Sequence, residues 1–242
     1  MDARSDAVSH RRDVHARTVA TIVLAVVSGA TDAVGFLALG GAFTSVMTGN
    51  MVLLGISVGH LDGYLAGHIG AAIVCFVLGA AAGTRLAGAA REDGVVWPAT
   101  ITRALCVEAV ALAVYAIVWW SVGNDPHGAL QLALLVINAF ALGVQSSAVL
   151  RFGVSGLSTT YMTGTLTTIV ARLVSGHRVR DVAHSLVILA GLIGGAAAMA
   201  VLVRDLPALA PVLQLAGLAV VLLIALRVRS RRNAEGERVV VG

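Results

Sequence analysis

Six stretches of apolar sequence, at roughly 18–40, 64–84, 99–121, 128–150, 182–203 and 207–226, are each long enough to cross a hydrocarbon core. Crossing about 30 Å takes about 20 helical residues, and inside the core every backbone N–H and C=O must be satisfied within the protein. A chain with six such runs is committed to a bundle of membrane helices. Composition agrees, with 58% of the 242 residues hydrophobic and only 12% charged, well outside the balance of a soluble domain. Two shorter apolar segments, roughly 43–58 and 157–171, are marginal for spanning. The expected fold is an all-α polytopic membrane protein of about six transmembrane helices, with two short motif-bearing helices that are re-entrant or broken.

Charge sets the orientation. All 17 basic residues are arginines. If the short segments return to the side they enter from, sixteen arginines share one side and Arg204 stands alone on the other; if they cross fully, the division is twelve to five. The positive-inside rule favours the first arrangement, and both place the two termini in the cytoplasm. Trp97 before Pro98, and Trp119 and Trp120 after one span, sit where interfacial aromatics belong. The arginines that precede TVATIVLAVVSGA resemble a secretory signal. The apolar run nevertheless continues through Phe36 to Leu39, so it is read as a first span. The expected units are a cytoplasmic extension (1–17), a first membrane repeat (18–122), a second (123–228) and an Arg-rich tail (229–242).

Several function classes drop out. There is no basic stripe with interleaved aromatics for nucleic acid, no GxSxG or HExxH, and no lysine for a phosphate loop. Cys75 and Cys106 lie in apolar segments without a CxxC or Cys/His pattern, so they read as small hydrophobes. Neither an enzyme, nor a cofactor, nor a metal site is expected. The lipid bilayer is the expected partner, with a small polar solute or ion beside it, and a homodimer through Gly/Ala faces is compatible with so small a bundle. Gly-rich patches at 67–83 and 191–200 read as close helix–helix seams.

The functional signal is a duplication. FTSVMTGNMVLLG (43–55) recurs as STTYMTGTLTTIV (158–170), and alignment of 29–55 over 143–170 lays Thr48-Gly49-Asn50 on Thr163-Gly164-Thr165. GHLDGYLAGH (59–68) faces GHRVRDVAH (176–184) further on. Each unit is span, motif segment, span, span. With three full spans per unit the second copy enters from the opposite side, an inverted repeat of the kind that in secondary transporters puts the substrate site near the midplane; full crossing would make the repeat parallel. Hydroxyls and amides at such a break can serve freed backbone groups or a passing solute, and they can also simply pack helices together. Candidate binding residues are Asp32, Thr44, Thr48, Gly49, Asn50, Gln145, Thr160, Thr163, Gly164 and Thr165.

Asp32 lies about 21 Å into the first span at 1.5 Å per residue, where an acid must be protonated, paired or hydrated. It reads as a coupling acid or, alternatively, as a structural carboxyl bonded to the Thr48 or Asn50 region. Its counterparts, Gln145 to Ser147, are uncharged. Glu108 is expected nearer the cytoplasmic end of its span, in an interfacial ion pair with Arg103, with a pathway role as the other reading. His60, His68, His177 and His184 read as interfacial side chains, with proton relay as the other reading.

The blocks GxxDAxxFLxLGxxFxxxMTGNxVxLG, LGxQSSAxxRxG and TTYMTGTLT, taken together, resemble the YoaK-like family of uncharacterised bacterial transmembrane proteins, over about residues 18 to 228. The residues that carry the resemblance are Asp32, Phe43, Met47 to Asn50, Gln145 and Thr159 to Thr165. It implies a multi-pass bacterial inner-membrane protein of about six helices and no agreed activity. The expected function is a small secondary transporter or permease, proton- or cation-coupled; the alternative is a membrane scaffold or partner-binding protein whose polar motifs are packing seams.

Overall fold

In the computed structural model the described residues are 3–87, 99–150 and 162–241. They form eight α-helices: α1 (Ala3–Ala38), α2 (Met47–Gly59), α3 (Gly63–Ala87), α4 (Ala99–Ser121), α5 (Ala129–Leu150), α6 (Met162–Val174), α7 (Val179–Asp205) and α8 (Ala210–Val241). Six contain spans long and apolar enough to cross a membrane: Val14–Ala38, Gly63–Leu86, Ala99–Ser121, Ala129–Leu150, Val179–Asp205 and Pro207–Arg231. α2 and α6, at 13 residues each, are too short. The chain is a multi-pass α-helical membrane protein, as its apolar runs require. Trp97, Pro98 and residues 151–161, including Thr159 and Thr160, lie outside the described residues.

Local signals set the breaks. Gly40 and Gly41 follow α1 at φ of 98° and 79°, a region open to glycine at little steric cost. The Asp62 side chain accepts the Leu65 N–H at 3.0 Å and so starts α3; Asp181 accepts the Arg178 N–H at 2.9 Å at the start of α7. Pro207 opens a 3-10 turn that separates α7 from α8.

Hydrogen bonds identify which helix ends lie together. Gln131 at the start of α5 donates to the Ala38 carbonyl at 3.0 Å, and Tyr64 at the start of α3 donates to Gln131 at 2.6 Å. Trp119 and Trp120 donate to the Pro207 and Ala208 carbonyls at 2.9 and 2.8 Å. The C-termini of α1, α4 and α7 therefore share one end of the bundle with the N-termini of α3, α5 and α8. Described arginines cluster at the opposite end, save Arg204, which is paired with Asp205 at 2.7 Å.

The most extensive pairings are α3 with α5 and α1 with α7, followed by α4 with α5, α1 with α8 and α4 with α8; α2 packs on α3 and α6 on α7. Glycines allow the closest of these. A Cβ on Gly79 would overlap the Phe140 carbonyl and one on Gly143 the Phe76 carbonyl; on the other seam Gly195 meets Val26 and Gly29 meets Leu192 in the same way. These glycine seams are the close contacts expected of 67–83 and 191–200. The step along the chain from Gly29 to Gly143 also carries Val26 to Phe140, and the step from Phe76 to Leu192 carries Gly79 to Gly195. Likewise, the step from Glu108 to Gln214 carries the buried α4 residues Ala104, Leu105, Leu112, Tyr115 and Trp119 onto the buried α8 residues Ala210, Pro211, Leu218, Val221 and Ala225.

Candidate functional site

Asp32 lies two turns before the end of α1. After Gly40 and Gly41 the chain turns back along the helix, and four donors converge on the Asp32 carboxylate. Thr44 N–H and Oγ1 reach Oδ1 at 2.8 and 3.1 Å, Ser45 N–H reaches Oδ1 at 2.7 Å, and Ser45 Oγ reaches Oδ2 at 2.6 Å. Ser28, one turn earlier on α1, adds a hydroxyl contact to Ser45 at 3.2 Å. Both carboxylate oxygens are therefore engaged, Oδ1 by three donors and Oδ2 by one. It also stands at the N-terminal end of α2, where a negative charge is favourable.

Asn50 closes the other side of the loop. Its Oδ1 accepts the Phe43 N–H at 2.9 Å and its Nδ2 donates to the Phe43 carbonyl at 2.6 Å, so one amide stands in for a strand partner. Phe43 stacks on Phe36 with ring centroids 5.0 Å apart. α2 then runs back to the end of the bundle where α1 finished. It joins α3 through residues 60–62, and the start of α3 lies beside Gly40 and Gly41, His68 against the first and Leu65 against the second.

The motif thus divides. Asp32, Thr44 and Asn50 belong to one buried, fully bonded knot, while Thr48 is exposed and Gly49 sits against the Phe43 ring. In the second copy, Met162 is buried against Ala25 and Ile188, whereas Thr163 and Gly164 are exposed. Thr165 is 7% exposed and its hydroxyl has no partner. Ser45, two residues before the first Met-Thr-Gly, nonetheless meets Ser28 of α1, and Met162 of the second shares a buried cluster with Ala25 of α1 and Ile188 of α7. Gln145 is buried on α5, apart from the Asp32 knot, with Oε1 unpartnered. Thr160 lies outside the described residues.

Ser45 and Ser28 were not singled out in the sequence, although Ser28 precedes Asp32 by four residues on one helix face. A second polar group was missed altogether. Gln214 donates to Thr31 at 2.9 Å and lies 3.4 Å from Asn138, whose side chain also faces Tyr115; all four are fully buried among α1, α4, α5 and α8. The expected Glu108–Arg103 ion pair is corrected. Glu108 is fully buried near the middle of α4 with neither oxygen hydrogen-bonded, and Arg103 is exposed on another face. Five residues on a helix turn through about 140°, so Arg103 faces outward while Glu108 faces the core. His60 and His177 are exposed at turns, while His68 is buried beneath Gly40 with its ring 4.1 Å from that of Tyr64. Among the described residues no three His, Cys, Asp or Glu side chains gather to hold a metal.

The family described as a protein of unknown function (DUF1275) matches residues 20–225. The UPF0700 transmembrane protein YoaK of Bacillus subtilis (strain 168) is 32% identical over 144 residues, 60% of this chain and 61% of that relative, so the match spans less than two thirds of the relative's length. No solved structure matches.

Proposed function

The chain belongs to the DUF1275 family, and within that membrane setting we propose that it is a small secondary transporter or permease for a small polar solute or ion, built as an inverted repeat. One observation carries the reading: the two motif segments, distant in sequence, both approach the middle of α1, Ser45 just before the first Met-Thr-Gly at Ser28 and Met162 of the second in a buried cluster with Ala25 and Ile188. Non-helical backbone at such depth is tolerated where it is buried in protein or lines a wet cavity. Support for the repeat comes from the matched glycine seams and from α1 and α5 running in opposite directions through equivalent partners. In this reading α2 and α6 are half-helices returning to the side they came from, Thr48, Thr163 and Thr165 face the solute path, and Asp32 holds the first break in shape. The bacterial inner membrane, cytoplasmic termini, a non-enzymatic role and pairing of two copies through uncovered glycines such as Gly67 and Gly70 belong to the same proposal.

The four hydrogen bonds that Asp32 holds within its own loop support the second reading, a scaffold or partner-binding protein whose polar motifs lock helices together. The two diverge on water. Single cysteines at Thr48 and Thr163 are expected to react with a membrane-impermeant thiol reagent in proteoliposomes; resistance at both positions, with reaction at a His60→Cys control, would leave the scaffold.

A further inference from the structure

Glu108 stands where the sequence match between the halves leaves a hydrogen bond unmade. The step along the chain that lays α4 on α8 carries Glu108 to Gln214, and the step that lays α1 on α5 carries Thr31 to Gln145. On one side of the molecule Gln214 and Thr31 are bonded at 2.9 Å. On the other, Glu108 lies level with Gln145 in the antiparallel α4–α5 register, yet both carboxyl oxygens of Glu108 and Oε1 of Gln145 are buried without partners. Leu105 and Leu112, one turn before and after, are sealed into a core with Leu24, Ala141, Ala148 and Leu218.

No described ionisable group faces Glu108 to balance a charge. α5 has none along its length, Arg85 of α3 is exposed, and the α8 arginines begin at Arg227, also exposed. On α4 itself Arg103 and Cys106 point outward and Tyr115 is two turns away; Arg17 of α1 lies about two turns nearer the arginine-rich end than Leu24. A carboxylate so enclosed is unfavourable, and uptake of a proton relieves the burial. Tyr115, Asn138 and Gln214 carry spare hydrogen-bonding atoms on the side toward the far end of the bundle. Asp32, by contrast, accepts hydrogen bonds at both carboxyl oxygens.

We propose that Glu108, and not Asp32, is the proton-binding carboxyl of the membrane core. An O–H bond forms on Glu108 with a proton taken from water and breaks when that proton is returned to water. Its passage from one end of the bundle to the other rests on the transporter reading; the proton site itself does not.

The test uses the purified full chain and dicyclohexylcarbodiimide, which modifies protonated carboxyls in apolar surroundings. Peptide mapping is expected to find Glu108 modified at neutral pH, less so as pH rises, with Asp32 unmodified and the label lost in Glu108→Gln. Infrared spectra are expected to show a protonated-carboxyl C=O band that disappears in Glu108→Gln and persists in Asp32→Asn. A band unchanged in Glu108→Gln, label on Asp32 alone, or protection of Glu108 by sodium or potassium at constant pH would overturn the assignment. Label at Glu108 without any flux in proteoliposomes keeps the proton site and removes the transporter; flux with Glu108 unlabelled does the reverse.

Discussion

Asp32 and Asn50 do the same job by different chemistry: each supplies acceptors or donors to backbone that the break between α1 and α2 has freed. Removing the Asp32 carboxyl leaves the Thr44 and Ser45 N–H groups buried without acceptors, and a buried unsatisfied donor costs roughly 1–3 kcal/mol. Asp32→Ala is therefore expected to lower unfolding stability in detergent by about 3 kcal/mol, and Asp32→Asn by less because it keeps one acceptor oxygen. Asn50→Ala, which strips both bonds from Phe43, is expected to cost about 2 kcal/mol. Equal stability of wild type and Asp32→Ala in a denaturant titration would dismiss the knot as a stabilising element. An acid deep in an apolar run marked Asp32 in the sequence. Its donors were not legible, because they depend on how far the chain doubles back after Gly41. Glu108 was misjudged for the complementary reason: Arg103 is close in sequence but faces outward, and helical phase, not separation, decided what the carboxyl meets.

Between helices the limiting quantity is backbone distance. In lipid, apolar surfaces gain little by meeting, so α3–α5 and α1–α7 associate through close van der Waals packing. Gly79→Ala and Gly195→Ala force the Phe140 and Val26 backbones aside and are each expected to destabilise by about 1–3 kcal/mol. Gly194→Ala, with nothing within 4 Å of the added Cβ, is expected to leave the midpoint unchanged. Comparable losses at all three sites in a thermal melt would mean that helix contacts outside the glycine seams dominate. The seams were legible as small-residue patches, and α2 and α6 as segments too short to span. Their partners were not, since local sequence carries no record of which other helix a glycine face will meet.

For the whole molecule the question is the path of the chain through the bilayer. Single cysteines at His60 and Asn124 are expected to label from one side of oriented vesicles, and cysteines at Arg85 and His177, together with both termini, from the other. If α2 crossed fully, His60 and Asn124 would instead label from the side of the N-terminus and Arg85 from the opposite side. Sequence by itself determined that the chain lives in a membrane, which six runs are long enough to cross it, where the arginines fall between those runs and that a polar motif occurs twice, because each follows from local hydropathy and from identity between segments. Only the tertiary structure decided that Asp32 is hydrogen-bonded at both oxygens and Glu108 at neither, and that Ser45 and Met162 both approach the middle of α1. A buried polar group is defined by what surrounds it, and those surroundings come from helices far apart in the chain, brought together by packing that no single segment encodes.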